Sequence, residues 1–267
     1  MQKSHLRNVA ALAVVALATS ASAQVVPVAV TGFNEDMIHN QPTNATVTAT
    51  MDNGLGTNEN WTWVEAGTYT RDDGQVVTIP GLQSGVQTSA TGNGTFLVQP
   101  VDGFNTLAVA EERTSATFDL LAPASFSSIA LYGAAARGPL SASVTFNFSD
   151  LSTTTFTLDG SEGGIASDWF FDDANNAYQA GARASRRSED ETTWFIQENG
   201  VIGLNESLFT FDAADQMKQL DSITINYLSP ETDKLLAVFA VSGAAVPEPA
   251  SLGLLGVAGL ALVRRRR

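Results

Sequence analysis

The stretch SASVTFNFS, residues 141–149, constrains the fold of this chain more than any other segment. Ala142, Val144, Phe146 and Phe148 alternate with Ser141, Ser143, Thr145 and Asn147. A strand turns successive side chains to opposite faces, so this one buries a single face. The polar turn DLS and then TTTFTLDG follow, which together read as a hairpin. Similar short runs recur at residues 25–31, 45–51, 61–69, 75–79, 95–99, 106–110, 116–121, 193–197, 207–211, 220–228 and 235–243. Pro27 lacks a donor and marks the first as an edge strand. Only residues 213–218 read as a short helix, and no fixed-period repeat is present. Many short strands punctuated by turn clusters predict an all-β chain, a two-sheet antiparallel β-sandwich of jelly-roll type. No cysteine occurs, so neither disulfides nor thiolate metal sites brace the fold, and stability must come from the core.

The two ends differ from this body. Lys3, His5 and Arg7 precede an apolar run over residues 9–18, and Ala21-Ser22-Ala23 supplies a small-residue exit. This is the layout of a secretory signal peptide, residues 1–23, with Ala23 as the last residue removed. At the other end, Val246-Pro247-Glu248-Pro249 leads into an uncharged run over residues 250–263 and then Arg264, Arg265, Arg266 and Arg267. As a helix this run would rise about 21 Å, short of the roughly 30 Å hydrocarbon core, a thin transmembrane anchor. Clustered arginines resist translocation, so they act as the membrane stop and leave the body, residues 24–246, outside.

The order Pro-Glu-Pro, apolar span and terminal arginines resembles the PEP-CTERM sorting signal of exported bacterial proteins. That resemblance implies an exosortase-type processing enzyme as partner, cleavage near residues 246–249, and delivery to the cell surface or extracellular matrix. Pro247 and Pro249 fix φ and hold the chain extended, which suits a protease-like recognition groove. The body segments VTGFNEDMI, FLVQPVDGFNTLAV, ATFDLLAPASFSSIALYGAAARG and LDSITINYLSPETDKLLAVFAVSG resemble a recurrent body of such proteins. Their strand rhythm is similar to galactose-binding-like β-sandwiches, a class that includes many carbohydrate-binding modules.

Charge narrows the partners. Six of the 14 Lys+Arg and one of the 28 Asp+Glu lie in the two end segments, leaving eight against 27 and a net charge of −19 on the body. Nucleic acid is not an expected partner, because the one cationic cluster, Arg183, Arg186 and Arg187, is offset by Glu189, Asp190 and Glu191. His39 is the single histidine of the body, which leaves histidine-based triads and multi-histidine zinc sites without material. No phosphate-binding glycine loop or nucleophile elbow is present.

Three chemistries remain. Trp61, Trp63, Trp169 and Trp194 are candidates for stacking on sugar rings, with Trp61 and Trp63 on one face if their segment is a strand. The oxygen-rich SDWFFDDANN offers Asp168, Asp172 and Asp173 as candidate Ca²⁺ ligands, although it lacks an ordered calcium loop. Those acids with Glu111, Glu112, Glu189, Asp190 and Glu191 supply carboxylates for a carbohydrate-active enzyme. The expected protein is non-enzymatic, surface-sorted and structural or associated with extracellular polysaccharide. A carboxylate-dependent enzyme is the alternative, and a matrix adhesion module a third.

Overall fold

The computed structural model describes residues 24–40, 47–57, 60–171, 174–186 and 195–246. The leader with Ala23, Pro247 to Pro249, the apolar tail and Arg264 to Arg267 lie outside these residues. So do Trp194, Asp172, Asp173, Glu189, Asp190 and Glu191.

Two antiparallel sheets form the core of the fold. The outer sheet has the order β15 (Thr153–Asp159), β14 (Ser141–Phe148), β20 (Leu220–Tyr227), β12 (Ser115–Ala124) and β2 (Val30–Thr31). In the middle sheet, β21 (Leu235–Ala245), β13 (Phe126–Ala136), β19 (Gly203–Thr210) and β16 (Asn176–Gln179) follow one another. The free edge of β21 is shared by β1 (Val26–Pro27) and β11 (Leu107–Ala110). From β12 to β14 and from β19 to β21 the chain hops between the sheets, the jelly-roll manner of connection. The alternation at residues 141–149 does what its pattern requires. Ala142, Val144, Phe146 and Phe148 enter the core between the sheets, where Phe146 meets Phe156, Phe209 and Phe211 edge-on. Outside, Thr117, Thr224, Thr145 and Thr155 stand in register across four strands.

The middle sheet is covered on both faces. Along β13, Ile129, Leu131 and Ala135 face the outer sheet, while Ala130, Tyr132, Ala134 and Ala136 face a second core. That core lies beneath a third layer of short sheets. One comprises β18 (Phe195–Glu198), β17 (Ala182–Arg186), β6 (Asn60–Val64) and β3 (Ile38–His39), the last pair parallel. Three hairpins complete the layer: β9 (Gly85–Thr88) with β10 (Thr95–Val98), β4 (Ala49–Thr50) with β5 (Gly54–Leu55), and β7 (Gly67–Thr70) with β8 (Val76–Ile79). Phe96 stacks on Tyr132 at 4.2 Å between centroids, tying this layer to the middle sheet.

The expected sandwich is therefore present, with an additional layer. The run at 25–31 is split, its first half pairing in the middle sheet and its second in the outer one. The expected helix at 213–218 is a single 3-10 turn, Asp215–Met217. β3, β5, β9, β13, β16 and β17 were not expected as strands. Among the described residues no helix is long and apolar enough to cross a membrane.

Candidate functional site

The segment SDWFF lines a cleft at one end of the molecule. Asp168 forms a bridge to Ala135 at the end of β13, and its backbone neighbours are pinned there: Ala135 donates to the Ser167 carbonyl and Trp169 to the Ala135 carbonyl, each at 2.8 Å. One Asp168 oxygen accepts the Phe170 N–H at 2.8 Å and the other accepts the Gly138 N–H. The next three side chains then diverge. Trp169 is 2% exposed and packs on Trp63 at 4.9 Å, Phe170 is half-buried, and Phe171 is 66% exposed. Phe171 stands at the rim of a cleft of about 370 Å³ lined by Pro139, Ser161, Glu162, Ser167, Asp168 and Asn175, among others. Asp159 holds the opposite wall by accepting from the Ser161 N–H and hydroxyl at 3.0 and 2.8 Å. These two serine donors hold the exposed Asp159 carboxyl below its ordinary range.

Behind this cleft sits a cationic aromatic cluster. The Arg183 guanidinium lies 4.3 Å from the Phe170 ring, 4.7 Å from Trp61 and 5.6 Å from Trp169. It is paired with Asp52 at 3.0 Å and donates to Gln197 at 2.8 Å. Desolvation pushes the Asp52 carboxyl up, against the pull of Arg183 and a hydrogen bond from Trp169. Arg137 donates to the Asp52 carbonyl and pairs with Asp233 at 3.1 Å. Two arginines thus fasten the 51–56 loop to the end of the sandwich.

This geometry decides where each candidate stands. Trp63 is fully buried against Trp169 and Phe239, so neither Trp63 nor Trp169 presents a free face, and both serve as core. Trp61 is half-buried with Arg183 over its ring. Of the aromatic residues in the segment, Phe171 is the one open to a ligand, and no sequence signal separated it from Phe170. Asp168 lines the cleft but spends both oxygens on backbone amides. Among the described residues no three His, Asp or Glu side chains converge to hold a metal ion. Glu111 and Glu112 sit in the exposed turn between β11 and β12 and are not among the cleft-lining residues.

Four buried carboxylates, Glu35, Asp36, Glu206 and Asp215, carry no signal in the sequence, and two of them organise networks of their own. Glu206 accepts from Ser89, Thr91 and Asn93 at 2.7, 2.8 and 2.5 Å, clamping the β9–β10 hairpin to β19. Asp36 is 5% exposed and accepts from Asn105 at 2.7 Å. Two GFN tripeptides build this second cluster. The Asn34 and Asn105 side chains each act as a peptide mimic, binding Ala108 N–H at 2.9 Å and Met37 N–H at 3.1 Å. Burial raises the Asp36 carboxyl from 3.8 to about 6, with Asn105 and Ile38 N–H opposing. The folded state therefore holds a proton between about pH 4 and 6 that the unfolded chain has released. The resulting stabilisation is complete below pH 4 and is lost as pH rises through 6. Asp36→Asn retains an acceptor for both donors, so it should stabilise the protein by about 1–2 kcal/mol at pH 7 and by almost nothing at pH 4. Urea unfolding at the two pH values checks this, and an equal gain at both would refute the burial argument.

The tail leaves from the far end. β21 ends at Ala245, and the Val246 N–H donates to Ser125 at 3.0 Å. Val26 pairs with Gly243, so the first and last described strands share this end. The cleft lies at the other end of β13, about 33 Å away for a strand of this length. No curated protein matches the chain. Residues 245–267 match the PEP-CTERM protein-sorting motif, beginning at the last residue of β21.

Proposed function

We propose that this protein is a non-catalytic, surface-delivered glycan-associating β-sandwich, carried outward by its tail and binding through the distal cleft. The sorting motif supports an export and cell-surface role and implies an exosortase-type processing partner. The observation that carries the rest is the opposition of the two features. The tether leaves one end, and the cleft with exposed Phe171 opens at the other, where a tethered body meets its surroundings. An aromatic face beside hydroxyl, amide and carboxylate groups suits a sugar, whose ring has an apolar face and whose edge carries hydroxyls. The resemblance to galactose-binding-like sandwiches points the same way. Glu162 and Asp168 both line the cleft, as a carbohydrate-active enzyme would need, but the braced Asp168 fits a loop support better than a proton donor.

Affinity electrophoresis across a panel of soluble polysaccharides should retard the protein, and Phe171→Ala should lose that retardation while melting at the wild-type temperature. Unchanged mobility across the panel removes the glycan reading. Release of reducing ends from a retarding polysaccharide establishes the enzyme instead. For sorting, mass spectrometry of protein from the medium should find no peptide beyond the Pro-Glu-Pro element. Changing Pro247 and Pro249 to Ala should leave the intact tail in the membrane fraction. A secreted form still carrying Arg267 would contradict processing.

A further inference from the structure

The end of the sandwich from which the tail leaves carries a second unusual surface. Phe126 pairs with Ala245, Ala124 with Leu220, and Phe148 with Leu220, so three connections share that end: the β12–β13 corner, the β14–β15 turn and the 3-10 turn before β20. Large apolar side chains are exposed there, Leu121 in the irregular end of β12 at 66%, Leu151 in the β14–β15 turn at 92% and Met217 in the 3-10 turn at 74%. Leu151 is the most telling. It occupies the tip of a tight turn at φ 67, a left-handed conformation that favours Gly or Asn. Leucine there gains neither backbone ease nor burial, so folding gives no reason for it.

Chain length supplies the occupant. The motif begins at Ala245 with no spacer, and residues 247–249 reach at most about 11 Å before the apolar run starts at Ala250. If that run is inserted in a bilayer, this end of the body must rest on the headgroups. We infer that Leu121, Leu151 and Met217 form a membrane-docking rim that seats the body on a zwitterionic phospholipid surface until the tail is cut. This rests on the sorting reading above. The charges here favour neutral over anionic lipid. Asp150 and Asp221 bind Ser152 and Ser149, Asp212 caps the 3-10 turn, and Lys218, the cation of this group, is held by Asp215 at 2.7 Å.

The chain has no cysteine, so single-cysteine variants report one position each. Full-length L121C, L151C and M217C, labelled with an environment-sensitive fluorophore, are reconstituted into phosphatidylcholine vesicles. L228C and F171C serve as controls away from the tail. The rim positions should shift their emission to the blue and be quenched by doxyl-labelled lipid, while the controls stay unchanged. Added phosphatidylglycerol should weaken both signals at low salt. Equal emission at rim and control positions overturns the proposal, as does a blue shift that follows protein concentration without lipid quenching, which would indicate a second copy. Carbonate extraction separates the two readings: a chain that washes off the vesicles refutes tail insertion, whereas a retained chain with solvent-exposed rim probes refutes the rim alone. Amide exchange of the unmodified chain over residues 121–123, 149–152 and 215–219 should slow on vesicles, which tests the rim without substitution.

Discussion

Gly133→Ala is expected to prevent the body from folding. A Cβ on Gly133 would lie 2.1 Å from the Ala237 carbonyl oxygen and 3.0 Å from Val238 Cα, both backbone atoms of β21. The position falls at the register shift between Tyr132 and Gly133 in the β13–β21 pairing, where the backbone of β21 leaves no room for a side chain. Nothing nearby can yield. β19 flanks the other side of β13, and cores lie above and below it. We expect a loss above about 4 kcal/mol, large enough to abolish cooperative unfolding of the purified protein. Gly74→Ala is the control. That glycine has φ 82 with nothing within 4 Å of its would-be Cβ, so it should cost only about 1 kcal/mol of backbone strain. Thermal unfolding of both decides the matter. Equal melting temperatures would mean that the strand contact is not the constraint described.

Arg183→Met should cost about 2–4 kcal/mol at pH 7, because it leaves a half-buried carboxylate without its cation. Methionine keeps most of the contact with Phe170 and Trp61, so packing contributes little to the loss. The Asp52 side chain is 23% exposed, so water moderates the penalty. Burial already holds the Asp52 carboxyl above its ordinary value, and removing Arg183 raises it further. In the variant, protonated Asp52 restores stability as pH falls, so the loss should shrink toward pH 4 and grow above it. Denaturant unfolding of both proteins across that range tests the sign. A loss that is constant with pH would assign the effect to packing.

The strands that sequence revealed and those it concealed differ in one physical respect. β14 and β20 have a wet face and a dry face, so their apolar residues alternate and both were visible. β13, FSSIALYGAAA, is dry on both faces over most of its length, and alternation disappears when each face is covered. β21 shares that environment, yet its run of larger apolar residues still read as a strand. β17 was hidden for another reason: Arg183 and Arg186 read as a solvated cluster, while Arg183 in fact lies against three aromatic rings. SDWFF lines a cleft whose character depends on which of three successive aromatics points outward. That is set by the pinning of Ser167 and Trp169 to Ala135, a contact more than thirty residues distant in sequence.

Local patterning by itself determined the all-β class, the hairpin at 141–159 and the tripartite tail, because each is written in neighbouring residues through side-chain alternation, turn chemistry or the sum of hydrophobicity and charge. Tertiary structure alone decided that two tryptophans are core, that Asp168 is a brace, that a third layer covers the middle sheet, and that the cleft and the end of β21 lie at opposite ends of the body. Those outcomes depend on which distant strands become neighbours, and burial, unlike alternation, is a property of the neighbours.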